Sequence, residues 1–350
     1  MKAHANIPIF IPHEGCTHAC IFCDQRAITG VRERADRDIR PEIDRALAYL
    51  SLPAESIQIA FFGGSFTGID RAVMVRLLED AYAYVTAGLV DSIRLSTRPD
   101  YISEEILDIL KSHGVQSIEL GLQSLRDPVL ARAKRGHTAA CAVHACKLIR
   151  SYGFELVGQM MLGLPGSSLE DEVYTAEQIA ALSCDAARIY PTVVFENTEL
   201  CRMAKAGIYT PLTVSEATLR GAAVLDVFVQ SHVQVLRIGL QKNESDGLVY
   251  GGAHHSAMGE LVESAYYARL IERECEKGGL LTHPPAHITL FCAPGEESKV
   301  AGQNKENKRQ LCRRFYGNES EMHRIRIQKE PALAVYTLRV QTDPFRGKRP

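Results

Sequence analysis

A chain of 350 residues with a formal charge of −2, a pI near 6.6, 46% apolar and 23% charged residues has the make-up of an ordinary globular protein. That excludes a disordered or collagen-like polymer and a protein that coats nucleic acid through bulk positive charge, while leaving a local basic face open. No apolar run reaches the roughly 20 residues of a bilayer span, the opening Met1–Asn6 lacks a signal-peptide core, and ten cysteines without such a leader point to a reducing, cytoplasmic setting where thiols stay free.

From the N-terminus, short apolar runs alternate with helical patterns, the signature of βα units around a parallel sheet. The first strand is expected at Ile7–Ile11, followed by a loop that carries Cys16, Cys20 and Cys23. A helix over Pro41–Leu50, with Pro41 suited to the first turn, leads to a strand at Ile57–Phe62 that runs into Gly63-Gly64-Ser65. A helix over Arg71–Thr86 precedes the strand Ser92–Ser96, which ends in Thr97-Arg98-Pro99-Asp100. The next helix, Ser103–His113, opens on a capping serine and two acids. The strand Ser117–Leu122 continues into Gln123-Ser124, and Lys134-Arg135-Gly136-His137 precedes the helix Ala139–Tyr152. The strand Glu155–Leu162 contains Gln159 and turns at Gly163-Leu164-Pro165-Gly166 before the helix Ser168–Leu182 and the strand Ala187–Val194. Gly88, Gly114 and Gly153 stand where helices should stop. A helix over Val214–Gln230 and a strand over Val233–Leu240 complete the series.

Beyond Gln241 the pattern loosens, with a helix expected at Val262–Lys277, strands at His287–Phe291 and Val335–Val340, and a loose tail from Asp343. Most of the runs are rich in Ile, Val, Leu and Phe, which suits a sheet covered on both faces. The expected fold is therefore α/β: an incomplete, TIM-like (βα)6 parallel barrel over residues 1–240, partly closed by an α+β extension over residues 241–350. On such a barrel the C-terminal strand ends form the active face.

The chemistry concentrates in the CxxxCxxC loop. Thiolates hold iron–sulfur clusters, a cubane takes four, and three leave one iron open to a bound molecule. From the spacing alone, a cluster, a Cys3His zinc site completed by His18 and chance all stay open. Glycines at a strand end, as at Gly63 and Gly64, let the backbone approach a ligand closely, and an arginine such as Arg135 can meet a carboxylate with two charge-assisted bonds.

A CxxxCxxC motif after the first strand of a βα series resembles the radical S-adenosylmethionine (SAM) superfamily. The resemblance implies a [4Fe–4S] cluster on Cys16, Cys20 and Cys23, whose fourth iron binds SAM and whose reduction cleaves it to a 5′-deoxyadenosyl radical. It also implies SAM contacts along the strand ends: Phe22 against the adenine, Gly63, Gly64 and Ser65 at the amino group, Ser96, Gln123 and Arg135 along the SAM path, and Gln159 at the ribose. The family commonly has Glu or Thr near Ser65. Within the superfamily, Glu119–Leu125 with Arg135–Thr138, Met161–Gly166 and Arg188-Ile189-Tyr190-Pro191-Thr192 resemble the radical SAM half of the Elongator catalytic subunit, and more distantly oxygen-independent coproporphyrinogen oxidase.

Residues 241–350 show no glycine-rich pyrophosphate loop of an acyltransferase, so a stand-alone, Elongator-like enzyme is expected, with SAM, a tRNA nucleoside and an electron donor such as flavodoxin or ferredoxin as partners and no membrane. The alternatives are a porphyrin-type small-molecule enzyme, although the long segment before the cysteines of those enzymes is missing here, and a zinc-stabilised RNA- or protein-binding scaffold. Lys299–Arg314, with six basic residues against Glu306, reads as a basic helix able to neutralise phosphates or as a solvated helix face. Gly251-Gly252-Ala253-His254-His255 reads as an acid/base pair or a surface loop. Cys141 and Cys146, five apart on one helix, do not suggest a second cluster, and the other cysteines read as small apolar residues.

Overall fold

The computed structural model describes residues 4–11, 16, 20–23, 35–50, 56–240, 248–277 and 285–343. The chain forms two compact units. One comprises Met1–Ala217 with Gln230–Ser256, the other Thr218–Val229 with Ala257–Pro350.

The first unit is built on a curled, half-barrel sheet of seven parallel strands. They are β1 (His4–Ile11), β2 (Ser56–Gly63), β3 (Ser92–Thr97), β4 (Val115–Gln123), β5 (Glu155–Leu162), β6 (Ala186–Pro191) and, at the far edge, a strand Gln234–Ile238 that pairs with β6. The helices fall between strands as the periodicity predicts: α1 (Arg40–Tyr49), α2 (Arg71–Thr86), α3 (Glu104–Ser112), the short α4 (Asp127–Arg132), α5 (Ala139–Ser151) and α6 (Leu169–Ala181). Ser103 caps α3 by accepting from the Ile106 N–H at 3.3 Å, and Ser168 forms a capping box with Asp171 at the start of α6.

The sheet differs from expectation in one instructive way. Its two faces are not both apolar. Ile93, Leu95, Ile118, Leu120, Leu156, Met160 and Ile189 are fully buried, and Gly158 lies so close to α6 that a Cβ there would stand 3.0 Å from the Ile179 side chain. Residues paired across a parallel ladder share a face, and successive residues alternate. The face opposite the helices is therefore that of Arg94, Ser117, Glu119, Gln159 and Arg188. It is polar, and much of it is buried.

The expected strand Ala187–Val194 is two strands. Pro191 supplies no N–H to continue the ladder, and Val193–Phe195 (β7) leaves the sheet. The far-edge strand Gln234–Ile238 is β8, and β7 pairs antiparallel with β9 (Val249–Gly252). The helices α7 (Glu199–Lys205) and α8 (Val214–Gln230) lie between β7 and β8 in sequence.

The second unit centres on a three-stranded sheet of β10 (His287–Cys292), β11 (Ile325–Lys329) and β12 (Leu338–Asp343), with β10 in the middle. The helix α9 (Met258–Lys277) packs Tyr267, Ile271 and Cys275 into its core, beside α10 (Glu297–Ala301) and α11 (Glu306–Tyr316). The expected strand at Val335–Val340 begins later, because Tyr336 has a left-handed φ of 63° and the Thr337 N–H closes a turn onto the Ala334 carbonyl. Among the described residues, no helix is long and apolar enough to cross a membrane.

The close approach at Gly158 is testable. Gly158→Val forces branched atoms into the Ile179 side chain and should destabilise the first unit by about 1–3 kcal/mol, measured by denaturant unfolding.

Candidate active site

The cysteine loop starts where β1 ends, and the end of β2 is drawn against that point. The Gly64 N–H donates to the Ile11 carbonyl at 2.7 Å, and a Cβ on Gly63, whose φ is 107°, would stand 2.7 Å from the same oxygen. Only glycine allows this approach. It brings Ser65 to the loop, so that the Cys16 thiol donates to Ser65 Oγ at 3.5 Å. Ser65 is buried and precedes a 3-10 turn at Phe66–Gly68.

Farther along, the loop is tied down by backbone. Ile21 donates to the Ala133 carbonyl after α4 at 3.3 Å and accepts from Leu200 N–H at the start of α7 at 2.8 Å, while Cys23 N–H closes a turn onto the Cys20 carbonyl. Ile21 is buried among Val194, Leu200, Cys201 and Tyr209. Phe22, half-buried, packs against that cluster and against Val129, Ala133 and Leu164. Its ring therefore anchors the loop.

Cys20 is buried beneath two guanidinium groups. Arg135 Nη1 donates to its Sγ at 3.3 Å and Arg98 Nη1 at 3.8 Å. Arg98 is only 2% exposed. It is held by a two-point pair with Asp100, at 2.9 and 2.7 Å, and by the Arg135 carbonyl at 2.6 Å. The Arg98 guanidinium holds the Asp100 carboxyl below the usual range despite the opposing push of burial. Sequence reasoning singled out Ser96 in this stretch and passed over Arg98. The available signal was an arginine followed by Pro-Asp at a strand end, where a buried guanidinium needs a carboxylate close by.

Along the other strand ends, several buried polar atoms have no protein partner among the described residues: Ser96 Oγ, Gln123 Oε1 and Arg135 Nε. Such atoms are rare and ask for a ligand or water. Gln123 sits at a register irregularity of β4 with a left-handed φ of 65°. Arg135 spends Nη1 on Cys20 and Nη2 on the Gly121 carbonyl at 2.7 Å. Gln159 is engaged as well, its Nε2 donating to Glu119 Oε2 at 2.9 Å.

The charge set beside Cys20 fits an anionic group: two buried cations face its thiol, the neighbouring Ile21 is packed among apolar side chains, and Cys16 meets Ser65 at the end of β2. Among the described residues, no three His, Cys, Asp or Glu side chains are gathered into a metal cage. His18, the fourth ligand of the zinc alternative, lies outside the described residues.

Two other stretches read differently from the sequence. Lys299–Arg314 is not one helix. Left-handed φ values at Asn304 and Lys305 separate α10 from α11, and three of its six basic residues are paired, Lys299 with Glu263 and Glu296, Arg313 with Glu306 and Glu319, Arg309 with Glu319. The glycines before His254 and His255 serve β9, since a Cβ on Gly252 would stand 2.7 Å from the Thr192 carbonyl.

Near Arg98 lies His137, whose ring is fully buried with Nδ1 3.9 Å from Asp100 Oδ1. Burial pushes its imidazole down to about 4, with the Arg135 charge adding to the effect. The native ring stays neutral where the unfolded chain's ring titrates near 6.5, so the unfolded state binds the extra proton. Stability should fall as pH drops from about 6.5 to 4, by roughly 3 kcal/mol in all. His137→Gln should flatten that part of the profile, followed by denaturant unfolding at stepped pH.

Comparison with known proteins closes the assignment of family. Residues 10–179 match the radical SAM superfamily and residues 184–268 match the radical SAM C-terminal domain. The tRNA uridine(34) acetyltransferase of Methanocaldococcus jannaschii is 26% identical over 298 residues, covering 74% of this chain and 54% of that protein. Elongator complex protein 3 of Mus musculus is 26% identical over 290 residues, covering 71% of this chain and 52% of that protein. The structure of archaeal Methanocaldococcus infernus Elp3 lacking its N-terminus has the same fold, with a TM-score of 0.61 at 22% identity over 80% of this chain and 64% of that one. The chain thus spans about half the length of the curated relatives it matches. Members of the matched superfamily use a [4Fe–4S] cluster and SAM. The cysteine loop and both matched regions make this chain an enzyme of the radical SAM superfamily, similar to the radical SAM region of Elongator proteins.

Proposed function

We propose that Cys16, Cys20 and Cys23 hold the [4Fe–4S] cluster, that Gly63, Gly64, Ser65, Ser96, Gln123, Arg135 and Gln159 line the path of SAM with Phe22 at its side, and that the enzyme acts on a tRNA nucleoside. When bound, the cluster and SAM supply hydrogen-abstraction chemistry driven by one electron from a donor of the flavodoxin or ferredoxin class. The observation that carries the reading is the Cys20 thiol set under the Arg98 and Arg135 guanidinium groups at the strand-end face.

The chain's own residues do the positioning. Charge-assisted N–H···S contacts suit a thiolate ligand better than a neutral thiol. Asp100 fixes the Arg98 fork, and the Arg98 bond to the Arg135 carbonyl fixes the backbone from which the second guanidinium reaches Cys20. Gly63 lets the β1 and β2 ends close on each other, and Ser65 stands beside Cys16. Burial keeps water from the site. The tRNA part of the proposal rests on the name of the Methanocaldococcus jannaschii relative, a tRNA uridine(34) acetyltransferase that matches 74% of this chain. Its acetyl transfer is not included in it.

Anaerobic incubation of reconstituted protein with SAM, dithionite and bulk tRNA tests this, with nucleoside mass spectrometry as the readout. The expected result is 5′-deoxyadenosine and one altered nucleoside, both lost in Cys16→Ala, Cys20→Ala and Cys23→Ala. Iron-loaded protein that makes no deoxyadenosine overturns the cluster and SAM assignment; SAM cleavage over an unchanged tRNA profile overturns the tRNA substrate. Gly63→Ala should retain its iron yet bind SAM at least about tenfold more weakly, because the new Cβ prises the two strand ends apart. Equilibrium dialysis with labelled SAM checks it.

A further inference from the structure

The polar face of the seven-stranded sheet carries more positive than negative charge, and this excess is not used by the cysteine site. Glu119 is 1% exposed and accepts from three neighbours: Arg94 Nη2, Arg188 Nη2 at 2.9 Å and Gln159 Nε2 at 2.9 Å. One carboxylate thus faces two arginines, the buried Arg94 and the part-buried Arg188, each with an Nε that has no partner among the described residues. A third cation joins them. Arg237 on β8 is paired in register with Arg188 on β6, and its Nε donates to the Gly239 carbonyl at 3.0 Å. Among the described residues it has no carboxylate partner.

This pairing is built, not incidental. Like charges directly opposite on neighbouring strands repel. The β6–β8 ladder also shifts register between Ala187 and Arg188, so that Arg237, and not its predecessor, comes level with Arg188. Irregularities of this kind re-aim a side chain. The only other carboxylate that alternation puts on this face of β4 to β6, Glu155, is exposed at the opposite end of β5. Tyr190, two residues beyond Arg188, shares its face one rung nearer the strand ends. Burial pushes the Tyr190 phenol up, so it remains a hydrogen-bond donor.

We infer that Arg188, Arg237 and Tyr190 form an oxyanion-binding site for the second substrate, beside the SAM path. Gln159, Arg188 and Arg237 occupy one rung of the sheet, so the site lies level with the residue proposed for the ribose and toward the β8 edge. The planar guanidinium forks suit a phosphate or a carboxylate, with two parallel bonds to each. Arg94 and Glu119 position Arg188 and do not touch the ligand. The inference rests on the proposed function in taking this face as the substrate side.

Calorimetric titration of the full chain with inorganic phosphate and, separately, acetate, at fixed ionic strength against chloride, tests it with and without saturating SAM. At least one anion should bind saturably, and it should still bind saturably with SAM present. Phosphate alone points to a phosphate-bearing substrate, acetate alone to a carboxylate. Arg188→Gln and Arg237→Gln should each weaken binding about tenfold. Arg237 has no carboxylate partner to leave unpaired, so Arg237→Gln keeps the test open if Arg188→Gln does not fold. The inference is overturned if neither anion saturates, if Arg237→Gln binds as the parent does, or if SAM displaces the anion, which would make the site part of SAM's own. The SAM-free titration reads out whether or not the protein cleaves SAM, so failure of the proposed function and failure of this site are told apart.

Discussion

In a parallel sheet, residues paired across the ladder must share a face, and a slip of one position turns every side chain of a strand to the other side. The chemistry of this protein depends on that constraint more than on any single contact. The register places Arg94 with Ser117, Ser96 with Glu119, Gly121 with Gln159, and Gln159 with Arg188. Their intervening neighbours, Leu95, Ile118, Leu120 and Ile189, are fully buried in the apolar core. Because burying those aliphatic side chains stabilises one register strongly, by about 1.5–3 kcal/mol each, the polar set is held on the opposite face without further help. Where function needs a side chain elsewhere, the ladder breaks step, as it does near Gln123 on β4 and near Arg237 opposite β6.

The second constraint is electrostatic. Isolated charges are costly in a protein interior unless paired and hydrogen-bonded, and this unit buries several arginines. Arg98 meets the requirement with Asp100 and two further acceptors, and Arg94 with Glu119. Arg135 does so only in part: its two terminal nitrogens reach a carbonyl and a thiol. A neutral thiol is a weak acceptor, whereas a thiolate ligand in an anionic cluster is a strong one. The arrangement around Cys20 would thus be better balanced with the proposed cluster in place. His137 belongs to the same argument, kept neutral by burial beside groups that are already charged.

Much of the fold was legible in the amino-acid sequence, because local signals and tertiary structure agree. Pro41, Ser103 and Ser168 mark helix starts that the structure keeps, and the seven strands of the half barrel lie where the apolar runs are. What was not legible has physical reasons. β7 is three residues long and pairs with β9, more than fifty positions away, so no local pattern announces it. The basic stretch from Lys299 reads as one helix because backbone reversals at Asn304 and Lys305 use residues that also occur in helices. Apolar richness suggested a sheet covered on both faces, yet Arg94, Glu119 and Arg188 each sit between aliphatic neighbours at the two-residue period of a strand with one polar side. The cysteine loop stood out because its spacing is itself chemical. Arg98 did not, since its partners Cys20, Asp100 and Arg135 meet only in the folded chain.

The order of the strands then divides the work. The residues nearest the cysteines come from the β1 to β4 part of the sheet: the Ile11–Gly64 contact, Ser65, Arg98 beyond the end of β3 and Arg135 after β4. The excess cations come from β6 and β8 at the other edge. Glu119 on β4 and Gln159 on β5 lie between, and they are hydrogen-bonded to each other and, through Glu119, to Arg188. A half barrel therefore carries two chemically distinct ends on one face, joined by a buried network that can transmit position. Any ligand that takes the Gln159 amide as a partner must compete with Glu119 for it, and Glu119 would then rest on its two arginines alone. Occupancy at one end would change the hydrogen-bonding balance at the other, a coupling free energy that holds in both directions.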